Sequence, residues 1–279
     1  MQITRIFDYP NPICDNKYKD KFNIKERTHK MTTKIELLQQ ALNDSQNIVF
    51  FSGAGMSTQS GIPDFRSANG IFMQETGTEY TPEQVISHSF FQQYPETYFD
   101  FHFNNLVYQD AEPNEGHKFI ADLEQTGKHV AVVTQNIDEL HQKAGSKEVY
   151  ELHGTVMDNY CTKCHTHYTI DELQKDDQGI PRCPKDNGIV RPDIVMYEEQ
   201  LDQNTVTGAL KAIKEADMLV ILGTSLIVYP AAGFVQYFEG EHLAVINKTP
   251  IKIHNRQEIL AFEDTIDNVF SQLEIKGSK

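Results

Sequence analysis

No apolar run in this chain of 279 residues approaches the roughly 18 that a membrane-spanning helix needs. The opening stretch MQITRIFDYPNPICDNKYKD has no apolar core of the kind a secretory leader carries, so the expectation is a cytoplasmic chain with no membrane attachment. Positive charge is scarce. Lys and Arg number 25 against 40 Asp and Glu, a formal net charge of -15. Such a chain repels phosphate backbones, which argues against nucleic acid as a direct partner. Any anionic ligand must be held locally, by backbone amides or one aimed Arg. Cysteine is sparse as well, with four residues, too few for a disulfide scaffold. There is no internal repeat and no low-complexity tract. At 39% hydrophobic and 23% charged residues the composition is that of a folded protein, and the length suits one large domain with or without a smaller one.

Residues 1–30 differ from the rest of the chain. They hold seven basic and four acidic residues and no sustained apolar periodicity, and read as a flexible or peripheral extension, with Cys14 given no role. Met31 is expected to open a helix with Ile35, Leu38 and Leu42 on one face. Four apolar runs bounded by turn residues read as buried strands: Ile48–Phe51, Val130–Val133, Met218–Leu222 and Leu243–Ile246. Amphipathic stretches such as Gly116–Gln125 and Thr205–Glu215 separate them. Strands alternating with helices predict an α/β fold, a doubly wound parallel sheet of Rossmann type covered on both faces. A polar signature comes after each strand (SGAGMS, TQNID, GTS and NK), and parallel sheets bind ligands at those strand ends. Residues from about 70 to 110 are rich in Phe and Tyr and are expected to form helices packed over the sheet edge.

Ile48–Phe51 runs into Ser52-Gly53-Ala54-Gly55-Met56-Ser57, a strand, a Gly-rich turn and a helix start. Glycines there are expected to let backbone N–H groups approach a pyrophosphate. The third glycine of a dehydrogenase fingerprint is missing, its place taken by Thr58, and no acidic residue ends a second strand about 20 residues later. Hydride transfer is therefore disfavoured, while a dinucleotide is not. Three cysteines cluster within 23 residues: Cys161 and Cys164 in a C-x2-C knuckle, then Cys183. Clustered thiols point to a structural zinc site. Asp186, three residues after Cys183, can supply a fourth ligand; His165 and His167 are chemical alternatives, with geometry against His165. A carboxylate is harder than a thiolate, which predicts weaker zinc retention than four cysteines would give.

GAGMSTQSGIPDFRS, TQNIDELHQKAG, ELHGT, C-x2-C, GTSLIVYPAAGF and INK occur in that order. Together they resemble the sirtuins, NAD-dependent protein-lysine deacylases, over about residues 34–270, and the bacterial members most. The resemblance implies a Rossmann-like NAD-binding domain (31–70, 110–155 and 190–279) and a small helical and zinc-ribbon domain (71–109 and 156–189). It implies that Gly53, Ala54, Gly55, Thr58, Asp64, Phe65 and Arg66 form the NAD loop, with Phe65 near the nicotinamide. Gln135, Ile137 and Asp138 would line the ribose and nicotinamide pocket. Gly223, Thr224, Ser225 and Asn247 would meet phosphate and the adenosine ribose, and Asp264 the adenine end. Asn136 and His153 are the implied catalytic residues, His153 as general base. Where the family has a fourth ribbon cysteine, this chain has Asp186.

The residue chemistry agrees. A base must activate a ribose hydroxyl once nicotinamide has left, and a His suits that proton transfer near pH 7. Asn136 and Asp138 are suited to hydrogen bonding the nicotinamide carboxamide and ribose, with Asp138 as the carboxamide partner. Val190, Ile194, Val195, Met196 and Tyr197 match the family segment that pairs with the substrate backbone. The family continues with Gly-Glu, whereas here Glu198 and Glu199 come next, which suits substrates with basic flanks or a solvated surface. The stretch Phe101-His102-Phe103-Asn104-Asn105 has neither the Tyr nor the Arg with which the desuccinylating branch holds an acidic acyl group, so acetyl or a longer apolar acyl group is expected. The reading is thus a monomeric, NAD-consuming deacetylase of acyl-lysine proteins, yielding nicotinamide, free lysine and O-acyl-ADP-ribose. A mono-ADP-ribosyltransferase and a non-enzymatic NAD-sensing module are the alternatives.

Overall fold

A computed structural model describes residues 33–67, 70–71, 79–253 and 259–275; the 1–30 extension, with Cys14, and Met31 lie outside the described residues. The first helix, α1 (Lys34–Asp44), opens three residues after Met31 because Thr33 caps it. The Thr33 hydroxyl accepts from Glu36 N at 3.1 Å, and the Glu36 carboxylate accepts from Thr33 N at 2.7 Å. The strands are, in chain order, β1 (Asn47–Ser52), β2 (His129–Thr134), β3 (Glu148–Glu151), β4 (Gly154–Cys161), β5 (His167–Thr169), β6 (Val190–Ile194), β7 (Met218–Leu222), β8 (His242–Ile246) and β9 (Leu260–Phe262).

Six strands form one parallel sheet in the order β3-β2-β1-β7-β8-β9. The chain leaves β1 toward one edge and returns beside it as β7, so the sheet's winding reverses between β1 and β7, where a crevice opens at the carboxyl ends. The alternation of side chains sorts the apolar runs onto two faces. Ile48 and Phe50 of β1 join Leu38 and Leu42 of α1, Ile120 and Leu123 of α5 (Glu115–Glu124) and Val269 and Phe270 of α8 (Ile266–Phe270) on one face. Val49 and Phe51 join Ala209 and Ile213 of α7 (Gln203–Glu215) and Phe234 of the 3-10 segment Ala231–Tyr237 on the other. Phe50 and Phe51 are both 0% exposed, and each such burial contributes about 2 to 3 kcal/mol.

The second sheet is antiparallel and small, in the order β5-β4-β6. Val190–Ile194, assigned from the sequence to the large domain, is hydrogen-bonded into this small sheet. The aromatic stretch also departs from expectation. It forms α2 (Pro82–Val85), α3 (His88–Gln93) and α4 (Pro95–Asn105), whose Val85, Phe90, Phe91, Tyr98, Phe99 and Phe101 pack on Val156, Ile194 and Met196 of the small-sheet region and not over the edge of the large one. Aromatic rings meeting edge to face, as in Tyr98 on Phe91 and Phe99, fill a volume that short strands alone could not. A fourth apolar group holds only Cys161, Cys183 and Val190, with Tyr168 and Leu173 beside it.

Candidate active site and metal centre

The loop after β1 is built by backbone contact. Gly53 N–H donates to Leu222 O at 3.0 Å and Gly55 N–H to Gly223 O at 2.8 Å. A Cβ on Gly55 would lie 2.7 Å from the Gly223 Cα, and Gly223 itself has φ +54. The glycines therefore serve to let two strand-end loops touch. This corrects the expectation that their amides face a pyrophosphate: those of Gly53, Gly55, Met56 and Ser57 all have protein acceptors, leaving Ala54 N–H as the amide of this run with no acceptor among the described residues. The expected helix is instead two 3-10 turns, Ala54–Met56 and Thr58–Ser60.

Around this contact lies a cavity of about 570 Å³, within the range of small-ligand sites. Its walls carry Gly53, Ala54, Gly55, Thr58, Asp64, Phe65 and Arg66 from the loop after β1. Gln135, Asn136 and Ile137 come from the end of β2, and Gly223, Thr224 and Ser225 from the end of β7. Asn247 and Asp264 come from the ends of β8 and β9, and His153, Ile194, Val195, Met196 and Tyr197 are also in the lining. Residues scattered over two hundred positions are thus gathered at one edge of one sheet. Several brace each other. Gln135 Nε2 donates to Thr224 Oγ1 at 3.0 Å, tying β2 to β7 across β1. Asp64 accepts from the amides of Arg66 (2.9 Å) and Ser67 (2.7 Å), which shapes the Phe65 turn. Asn247 Nδ2 donates to Thr249 O, and Asp264 accepts from Thr265 N.

His153 lies just past β3, at the joint with β4. Its Nδ1 lies 2.9 Å from Gln135 O, so Nδ1–H donates to that carbonyl in the neutral ring and Nε2 carries the lone pair. Burial lowers its pKa, only partly opposed by the bond to Gln135, so the ring is neutral at pH 7 with Nε2 free to take a proton.

Two sequence-predicted residues do not line the cavity. Val190 is buried beside the cysteines. Asp138 stands behind the wall, accepting from Ser57 Oγ at 2.6 Å and Leu140 N at 3.0 Å. Ser57 Oγ in turn accepts from Asn136 Nδ2 at 3.0 Å. Asp138 therefore reaches the cavity through Ser57 and Asn136 in this geometry, not by facing it as the carboxamide partner. Burial raises its pKa, with the Ser57 and Leu140 bonds acting against that rise. Ser57, 1% exposed, is the residue that sequence reasoning passed over, although it stands in the Gly-rich motif. The stretch Phe101-His102-Phe103-Asn104-Asn105 does not reach the cavity: Phe101 and His102 are buried in the aromatic core, and Leu106, just past α4, is what lines it.

Cys161, Cys164, Cys183 and Asp186 each offer a ligand atom, and these lie within 4.8 Å of one another. The Cys164 and Cys183 sulfurs are 3.7 Å apart and Cys161 Sγ is 3.3 Å from Asp186 Oδ1. Ligands about 2.0 to 2.3 Å from a tetrahedral zinc stand at about these separations, so the set fits the ion. The Gly188 amide holds the Asp186 carboxyl at about 2, an ionised ligand at neutral pH. His165 and His167 are not in the cluster. A Cβ on Gly188 would lie 2.7 Å from Cys161 Sγ, so the knuckle closes only over glycine there.

The Sir2 family model matches residues 53–230. The NAD-dependent protein deacetylase of Clostridium perfringens is 50% identical over 244 residues, covering 87% of this chain and 99% of that protein. Two solved structures are similar over 86% of this chain and 97% of theirs at 33% identity. One is Sir2 with a p53 peptide and NAD+, with a TM-score of 0.76. The other, a Sir2 variant with a deacetylated p53 peptide and 3'-O-acetyl ADP ribose, has a TM-score of 0.78.

Proposed function

The chain belongs to the Sir2 family, and from that premise we propose that it removes acetyl groups from protein lysines at the expense of NAD. The single observation that carries this reading is the placement of His153. It stands at the wall shared by the β2 strand end and the segment Ile194–Tyr197, and its ring is held by Gln135 with Nε2 left for a proton.

When bound, NAD supplies the carbon that accepts the acyl oxygen as nicotinamide leaves. The residues of this chain do the rest. The loop Gly53–Arg66, Thr224, Ser225, Asn247 and Asp264 would hold the dinucleotide along the strand ends, with Ala54 N–H available to a phosphate oxygen. Asn136, fixed by Ser57, would orient the nicotinamide carboxamide, and Asp138 would fix Ser57. His153, neutral because it is buried, would take a proton from a ribose hydroxyl at Nε2. Val195 N–H donates to His153 O at 2.9 Å, so the peptide-binding segment and the base share one backbone register. Leu106, Ile194 and Met196 give an apolar wall, which suits acetyl or a longer apolar acyl group and excludes water from the site. Zinc at Cys161, Cys164, Cys183 and Asp186 would be structural, holding the small sheet.

A mass-spectrometric time course with an acetyl-lysine peptide, with and without NAD, tests the proposal. Acetyl loss that requires NAD and yields O-acetyl-ADP-ribose supports it. NAD consumed with the peptide unchanged and ADP-ribose attached to protein would replace it with ADP-ribosyl transfer. NAD bound but intact would leave a sensing module.

A further inference from the structure

The two acidic residues after Tyr197, Glu198 in place of the expected Gly and Glu199 as the expected Glu, have different surroundings. Glu199 is enclosed. It receives Nη1 and Nη2 of Arg191 (the latter at 3.0 Å), the Met196 amide at 2.9 Å and His88 Nδ1 at 2.7 Å. Arg191, 5% exposed, also donates to Ile194 O at 2.7 Å. Glu199, half-buried in the cavity wall, is thus neutralised by these partners and braces the end of the peptide-binding segment.

Glu198 is exposed and sits at φ +77, the left-handed region that glycine occupies freely. Its carboxylate accepts from Ser89 N at 2.9 Å and Ser89 Oγ at 3.0 Å. Both donors are neutral, and no Lys or Arg pairs with Glu198 among the described residues, so its full negative charge remains. Glu198 lines the cavity directly after Tyr197. Besides the paired Glu199, the other charged lining residues are Asp64, Arg66, Lys248 and Asp264 in the loops after β1, β8 and β9 and Asp267 in α8, at the dinucleotide-binding strand ends. Glu198 is therefore the uncompensated charge at the end built by Ile194–Tyr197. An acylated lysine is itself neutral, so any charge selection there must act on its neighbours.

We propose that Glu198 makes this cleft favour acyl-lysines flanked by Lys or Arg over acyl-lysines flanked by Asp or Glu. The inference rests on the deacetylase reading above. Exposed ion pairs are individually weak, so attraction and repulsion together should amount to about a three- to tenfold ratio in kcat/KM, and salt should shrink it.

The test uses the full chain with three acetyl-lysine peptides that differ in having Arg, Gln or Glu beside the acetylated residue. The expected result is a three- to tenfold basic-to-acidic ratio that decreases with added salt and falls close to one in both Glu198→Gln and Glu198→Gly. The glycine variant separates charge from backbone path, because it relaxes φ while removing the carboxylate. Calorimetric binding of the same peptides gives the ratio for any variant too slow to assay. A wild-type ratio near one overturns the inference and leaves the deacetylase reading standing. So does a ratio that survives in Glu198→Gln, which would assign the preference to the overall acidity of the chain. Failure to deacetylate even the Gln-flanked peptide removes the reading and this inference together.

Discussion

The two sheets of this protein are held together by different physics. The large sheet consists of strands buried on both faces, with Ile48, Phe50, Phe51, Leu219 and Ile221 all 0% exposed, and hydrophobic burial alone accounts for its order. The small sheet leans on the aromatic helices at one end, while its far end buries little beyond Cys161, Cys183 and Val190. Three apolar residues cannot offset the conformational entropy of the segment between Cys161 and Val190. Zinc held by the three thiolates and Asp186 would supply what packing lacks there. The large sheet can accordingly present reactive groups at its strand ends, whereas the small one provides a wall whose shape would depend on that metal.

The largest expected effect breaks the chemistry and leaves both frameworks intact. His153→Ala should lower deacetylation about 100- to 10,000-fold, the span usual for a general base, with a melting temperature close to that of the parent. A pH series strains both halves. His117 and His141 are buried beneath the loops of the large sheet, their rings 4.8 Å apart, and His102 is buried in the aromatic core. Burial lowers all three, to about 4 for His117 and about 3 for His102, from an ordinary value of 6.5. The unfolded chain then binds protons that the folded one refuses. The contribution of these histidines should be full above pH 6.5 and decline as pH falls toward those values, with His117 alone costing roughly 3 kcal/mol by pH 4; Glu151, whose buried carboxyl is raised to about 7, acts in the opposite sense over that range. Urea midpoints between pH 7 and pH 4.5 measure this, and His102→Phe should flatten the lowest part of the curve.

Ser57→Ala, at the large sheet alone, should cost about 1 to 3 kcal/mol of transition-state stabilisation in kcat/KM, because Asn136 and Asp138 lose a shared partner. The smallest effect sharpens the other side. Asp186→Cys should slow zinc loss to a chelator several-fold, and Asp186→Ala should hasten it. Zinc release tracked with a chromophoric chelator reads both. Hydrogen exchange on the stripped protein should rise in β4–β6 and stay low in β1, β2, β7 and β8.

The four central strands were legible because each is a continuous apolar run; the observed β1, β2, β7 and β8 extend those runs by no more than one residue at either end. The short edge strand Leu260–Phe262 was not legible, since three residues carry no period. Nor was the partner of Val190–Ile194, because an apolar strand does not declare which sheet it joins. The motifs singled out the polar strand-end residues of the cavity, as the strand-end rule requires, but not its apolar wall at Ile86, Leu106, Leu201 and Val228–Pro230. They could not reveal that the Gly53 and Gly55 amides are used up on the loop of β7, which comes from a contact between segments 170 residues apart. The hydroxyl of Ser57 was hidden for a similar reason: its importance lies in joining Asn136 to Asp138, a relation of space and not of spacing.

The most direct test of the chemistry at the large sheet's strand ends is the stoichiometry of one reaction. Nicotinamide released, lysine freed and acetyl-ADP-ribose formed would be counted together for the parent chain and for His153→Ala. Equal amounts of the three from the parent, with freed lysine nearly abolished in the variant, is the expected result. Nicotinamide release without freed lysine in the parent, or equal turnover by the variant, would contradict it.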